Sequence, residues 1–188
     1  MAKETKTTKK EVKTVKAAKV TGVENPMKKI RIERVVISAG GIEKELEKSK
    51  KLLEIIAGRK SQVIISQKRI PDFGVKPGLE VGVRITLRGN SAVELLRRLL
   101  GAIDNKLKAK QMADNHFSFG IEEYIEIPGM EYQRDIGIKG LNVTVVFARP
   151  GLRVLRKKIK QGHVPKRQRI TKQEIINFME DNFKTKIQ

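Results

Sequence analysis

The sequence predicts an α+β fold, an antiparallel or mixed sheet with helices packed on one face and a polar second face. Three observations predict it. The strand-like segments alternate apolar with polar residues instead of running continuously apolar, which is the pattern of a sheet buried on one side only. They are interleaved with segments whose apolar residues recur at the spacing of one helix face. At 188 residues, with no internal repeat at a period of about 20–50 residues, the chain has room for one domain plus appendages.

The elements follow in order. Residues 30–38 (IRIERVVIS) are strand-like by β-branched content and run into Ala39-Gly40-Gly41, a place for a sharp turn. A helix to about Ala57 then puts Ile42, Leu46, Ser49, Leu52, Leu53 and Ile56 on one face, with Gly58 as its C-terminal stop. Val63–Ile65 makes a short strand, followed by a loop rich in helix and strand breakers, 67–80. The clearest strand is 81–88, where Val81, Val83, Ile85 and Leu87 alternate with Gly82, Arg84, Thr86 and Arg88. Ser91 and Glu94 have the spacing of a capping box opening a helix with Val93, Leu96, Leu100 and Ile103 inward. Residues 117–127 and 141–148 read as further strands, the second with Leu141, Val143, Val145 and Phe147 opposite Asn142 and Thr144. A final helix spans 171–184, with Thr171 and Glu174 as a capping box and Ile170 placed to staple against Ile175.

Charge divides the chain. The net charge is +20, and residues 149–172 carry ten Lys/Arg and no acid, while residues 1–20 carry seven Lys against two Glu. Residues 1–22 are predicted to be a disordered basic extension, and 23–188 a single domain containing the basic segment 149–172. Cations at that density repel one another unless phosphates offset them, so the partner expected is nucleic acid. The open sheet face would present Arg84, Thr86, Arg88, Asn142 and Thr144, types suited to phosphate, ribose and base-edge contacts. In free solution the two basic segments are expected to be mobile and to order on RNA.

Other chemistry is poorly supported. No cysteine exists for a disulfide or a thiolate-bound zinc, and two histidines (His116, His163) are too few for most metal sites or proton relays. No Ser/His/Asp constellation stands out, so neither enzyme activity, cofactor nor metal is expected. Gly40-Gly41 lacks the full glycine fingerprint of a nucleotide fold, and Gly58-Arg59-Lys60-Ser61 lacks the preceding glycine of a P-loop. FSFG at 117–120 is similar to an aromatic ribonucleoprotein motif, but with aromatics at 4% and Glu122 and Glu123 following, Phe117 and Phe119 are expected to pack inside. There is no apolar run of bilayer length and no export leader, so a soluble, intracellular protein is expected, with no membrane partner.

Five blocks resemble the universal large-subunit ribosomal protein number five family in its archaeal and eukaryotic form: NPMKKIRIERVVIS (25–38), VRITLRG (83–89), NHFSFGIEEYIEIPG (115–129), DIGIKGLNVTVVFARPG (135–151) and QRITKQE (168–174). The resemblance spans about residues 24–184 and keeps the family's order. It implies a structural protein of the cytoplasmic large ribosomal subunit that binds 5S rRNA and helps attach it to the large-subunit rRNA in the central protuberance. It further implies contact with P-site tRNA, an intersubunit bridge with small-subunit ribosomal protein number thirteen, and neighbours among the other central-protuberance proteins.

Carried onto this chain, the resemblance puts 5S contacts at Asn25, Ser38, the Arg59-Lys60 turn and Thr86, with Ser38 and Arg59 standing where bacterial members have asparagine and glutamine. Charge and face add Lys28, Arg84, Arg88, Asn142, Thr144, Arg153, Arg156, Lys157 and Lys158 to the rRNA-binding set. The loop 67–80 corresponds to the family's tRNA-facing loop, with Lys68, Arg69, Phe73 and Lys76 as contacts. A DNA-packing protein would share the charge, but no helix-turn-helix or zipper pattern is visible.

Overall fold

The computed structural model describes residues 25–188; the basic extension 1–22 lies outside the described residues. Six strands form one sheet: β1 (Arg31–Gly40), β2 (Gln62–Ile65), β3 (Glu80–Leu87), β5 (Met112–Ala113), β6 (His116–Ile121) and β7 (Leu141–Ala148). Their order is β2-β3-β1-β7-β6-β5, and every neighbouring pair is antiparallel. The helices are α1 (Lys44–Ala57), α2 (Asn90–Ala102), the single-turn α3 (Arg153–Arg156) and α4 (Lys172–Phe183). Two two-residue strands, β4 (Lys106–Leu107) and β8 (Lys186–Ile187), pair in parallel and pin the C-terminal tail.

Alternation along each strand decides which face is buried. Val35, Ile37 and Ala39 of β1, Val83, Ile85 and Leu87 of β3, and Leu141, Val143, Val145 and Phe147 of β7 all lie in the core. Phe117 and Phe119 of β6 join them, 5.9 Å apart between ring centroids, so these rings pack and do not stack on a ligand. α1 lays Leu46, Leu52, Leu53 and Ile56 on this face, and α2 adds Ala92, Leu95, Leu96, Leu99 and Leu100. α4 covers the far side with Ile175 and Met179, while its Phe178 meets Phe147 edge to face at 5.5 Å. Burial of this apolar surface, at roughly 25 cal/mol per Å², is what holds the layers together.

Local predictions fail where a turn intervenes. Gly40-Gly41 does not lead directly into α1, because Glu43, at φ 49°, makes the entry and the helix starts at Lys44. The Ser91–Glu94 capping box does not form: Gly89, at φ 70°, turns the chain straight out of β3, so α2 begins at Asn90 and Ser91 falls inside its first turn. That earlier start rotates the buried face, leaving Val93 and Ile103 only half-buried. The strand expected over 117–127 stops at Ile121, since Tyr124–Glu126 form a 3-10 turn that buries Tyr124, whose hydroxyl accepts the Gln133 N–H at 2.9 Å. The predicted cap of α4 is present, Thr171 N–H donating to the Glu174 carboxylate at 3.1 Å, with Ile170 and Ile175 both buried beside it.

β1 contains one irregularity with consequences for the open face. Its register against β7 slips between Ile32, opposite Phe147, and Arg34, opposite Val146, so Glu33 is a β-bulge. Ile32 therefore packs against the core while Arg34, Val36 and Ser38 go to the other side.

Two substitutions probe this account. A Cβ on Gly140 would stand 2.8 Å from the Glu122 carbonyl oxygen and 2.9 Å from that of Ile121. Gly140→Ala should therefore destabilise by about 1–3 kcal/mol, and Thr171→Ala by about 1 kcal/mol, both measured by denaturant unfolding; a neutral Gly140→Ala would contradict the tight approach of these strands.

Candidate nucleic-acid interface

The face of the sheet not covered by helices carries side chains in cross-strand rows. One row runs Gln62, Arg84, Ser38, Asn142, Gly120, and the next runs Thr86, Val36, Thr144, Ser118. Within them Arg84 Nε donates to Gln62 Oε1 at 3.1 Å, and Ser118 Oγ lies 3.2 Å from Thr144 Oγ1. Arg34 and Arg88 stand beyond, at the end nearest β7's exit.

Arg34, Arg84 and Arg88 line one groove of about 560 Å³ with Gln62, Thr86 and Thr144, and no acid lines it. Arg34 Nε is buried with no hydrogen-bond partner among the described residues. A buried donor without an acceptor is destabilising by about 1–3 kcal/mol, and an acceptor brought in by a ligand removes that penalty. Three guanidiniums without a counter-charge, flanked by hydroxyls and an amide, form a site for phosphate and ribose. Arg34, Gln62 and Ser118 were not anticipated from the sequence; the alternation Arg34-Val36-Ser38 in a β-branched run is the signal that marks the first.

The Arg59-Lys60 turn borders this groove because it leads into Gln62. Glu54 closes the turn, accepting the Ser61 N–H at 3.1 Å and the Ser61 hydroxyl at 2.9 Å, and these bonds hold the Glu54 carboxyl below the usual carboxylate range. Other expected contacts lie elsewhere. Asn25 and Lys28 are exposed on a turn before β1, at the end of the strand opposite Ser38 and close to Gly151 through Met27. Ser38 and Asn142 face each other across β1 and β7 at the edge of a second recess.

The basic segment is a folded lobe on the β7 end. Arg149 pairs with Glu174 at 2.6 Å and donates to the Arg167 carbonyl, Ile170 N–H donates to Asn115 Oδ1 at 3.0 Å, and Arg156 is ion-paired with Glu33 of the bulge. Arg149 and Arg156 thus anchor the lobe, and Arg153, Lys157 and Lys158 project from it exposed. The segment 66–79 extends the β2–β3 hairpin, with Ile70 and Val75 bridged and Gly74 at φ 65° after a Pro71–Phe73 turn. Its tip exposes Phe73 at 71%, beside exposed Lys68, Arg69 and Lys76.

The end of the sheet that holds this hairpin also holds an acidic loop. Residues 122–138 contain five acids and one arginine, with Ile125, Tyr132 and Ile138 exposed among them. Lys139 ties the loop to α1, its Nζ donating to the Glu45 carbonyl at 2.8 Å; burial holds its pKa below the usual lysine range, against the pull of Glu45. Among the described residues no helix is long and apolar enough to cross a membrane, and no three His, Asp or Glu are grouped to hold a metal.

Comparison with known proteins decides the family. Residues 80–178 match the family model for the C-terminus of ribosomal protein uL5. Large ribosomal subunit protein uL5 of Nanoarchaeum equitans is 41% identical over 168 residues, covering 88% of this chain and 99% of its own. The proteins of the same name from Sulfurisphaera tokodaii and Sulfolobus acidocaldarius are 40% and 39% identical, each covering 87% of this chain and 94% of their own. The chain belongs to the uL5 family. It is a structural, non-enzymatic protein of the large subunit of the cytoplasmic ribosome. The uL5 match spans both the arginine groove and the acidic loop.

Breaking the turn beside the groove has a definite signature. In Ser61→Ala the Glu54 pKa should climb back toward the ordinary carboxylate range. Because a depressed carboxyl stabilises the fold above its unfolded pKa and loses that contribution as pH falls through the folded pKa, the variant should also lose stability mainly at pH above that range. Carbon-detected NMR titration of Glu54 reads the shift directly, and an unmoved pKa would deny Ser61 its role.

Proposed function

We propose that the open sheet face binds 5S rRNA and helps attach it to the large-subunit rRNA in the central protuberance. The observation that carries this is the groove in which Arg34, Arg84 and Arg88 converge without an acid. Phosphate contacts from these arginines and from the Arg59-Lys60 turn supply affinity and its salt dependence, while Thr86, Thr144, Ser38 and Asn142 fit ribose and base edges. The exposed cations Arg153, Lys157 and Lys158 of the lobe, with Asn25 and Lys28 near its base, form a second phosphate-binding patch for the large-subunit rRNA.

The two loops at the opposite end have different partners. The 66–79 hairpin, with Lys68, Arg69 and Lys76 around the exposed Phe73, is suited to the backbone of P-site tRNA. The acidic loop 122–138 repels RNA but suits a basic protein surface, and its exposed Ile125, Tyr132 and Ile138 supply apolar contact. Small-subunit ribosomal protein number thirteen in an intersubunit bridge is the partner that reading assigns to it, and other central-protuberance proteins adjoin it.

Arg84→Ala/Arg88→Ala should weaken 5S rRNA binding and reduce the salt slope by roughly one to two, whereas equal affinity for duplex DNA at matched salt would favour a general DNA-packing protein instead. Glu126→Lys/Glu131→Lys should leave 5S binding intact or stronger and weaken association with the small-subunit protein, as followed by pull-down and subunit-joining assays; unchanged association would remove the acidic loop from the bridge.

A further inference from the structure

We infer that the recess at the Ser38 end of the open face is a pocket for one extruded guanine of the bound RNA. This rests on the reading that the face binds RNA, and it adds what part of the RNA is read there and by which groups.

The recess, about 400 Å³, adjoins the arginine groove but differs from it chemically. Its polar lining is Ser38, Gln111, Asn142 and Glu122, and no lysine or arginine lines it. Phosphate would be repelled from a site whose one charged group is a carboxylate. A base carries no charge and can enter. Gly40 and Gly120 stand on the open-face positions of β1 and β6 where a side chain would otherwise project, so a flat ring can approach the backbone there.

The donor and acceptor pattern selects the base. Guanine presents two adjacent donors, N1–H and the 2-amino group, beside the O6 acceptor. A carboxylate accepts two parallel donors, the strongest geometry available to it. Gln111 Oε1 already accepts the Lys108 N–H at 3.1 Å, which leaves its amide N–H groups to donate, as O6 requires. Adenine, cytosine and uracil each offer the carboxylate one donor group on that edge. The structure therefore assigns discrimination to Glu122, orientation to Gln111 and Asn142, and the floor to Gly40. Extrusion is least unfavourable for a base already unpaired, which places the target in a loop or bulge.

Kethoxal, which modifies the N1 and 2-amino positions of unpaired guanine, gives the test on 5S rRNA bound to the full chain. One guanine should be protected by the wild type and become reactive in Glu122→Gln, with affinity lower by roughly tenfold, an unchanged salt slope and the arginine-dependent phosphate protections intact. Gly40→Val, at an exposed strand position with ordinary backbone angles and open space for a Cβ, should release the same guanine by filling the floor. Protection that survives both substitutions overturns the assignment. So does a Glu122→Gln chain that binds more tightly, which is what removing a stray negative charge near phosphates would produce. If the wild type binds 5S rRNA through its arginines but shields no guanine, only the pocket falls; if it does not bind 5S rRNA, the function proposed above falls with it.

Discussion

Three guanidiniums held on one side of a rigid sheet repel one another, and the rest of the molecule is arranged so that they cannot separate. Arg34, Arg84 and Arg88 sit on adjacent strands whose opposite faces are locked into the core through Val35, Ile37, Val83, Ile85 and Leu87. Relieving the repulsion by moving a strand would expose that core, and apolar burial outweighs what is gained between charges near water. The strain is instead relieved by a polyanion. The fold is thereby prepared for RNA before RNA arrives, and the hydrogen bond from Arg84 to Gln62 keeps one of the three side chains in place.

Charge is sorted along the length of the sheet. At the β7 exit, the anchored lobe presents Arg153, Lys157 and Lys158 beside the turn that holds Asn25 and Lys28. At the other end, beyond Gly40, the acidic loop and the 66–79 hairpin emerge. A large-subunit protein contacts RNA over part of its surface and proteins over the rest, and opposite charges at the two ends keep those partners from exchanging places. The lobe is itself held by charge, since Arg149 on Glu174 and Arg156 on Glu33 commit two of its ten cations to the fold.

Much of this was legible. The strict alternation of 81–88 and 141–148 gave both faces of β3 and β7 correctly, and with them Arg84, Thr86, Asn142 and Thr144. The Thr171–Glu174 cap and the packing of Phe117 and Phe119 followed from local pattern and composition. The Ser91–Glu94 motif misled because a capping box is decided by where the chain turns, and Gly89 turns it earlier. Arg34 was missed because its neighbours Ile32 and Glu33 obscure the period: the bulge changes which face the first residues of β1 occupy.

By itself, the sequence determined the fold class, the buried face of each long strand and the polyanionic character of the partner, because periodicity and net charge are local sums over residues. Only the tertiary structure decided that Arg34, Arg84 and Arg88 share one groove, that Ser38 and Asn142 border a recess with Gln111 and Glu122, and that two cations of the lobe are already paired. These are statements about register between strands distant in sequence. Register is set by the bulge, the turns and the packing of helices on the hidden face, none of which any single segment encodes.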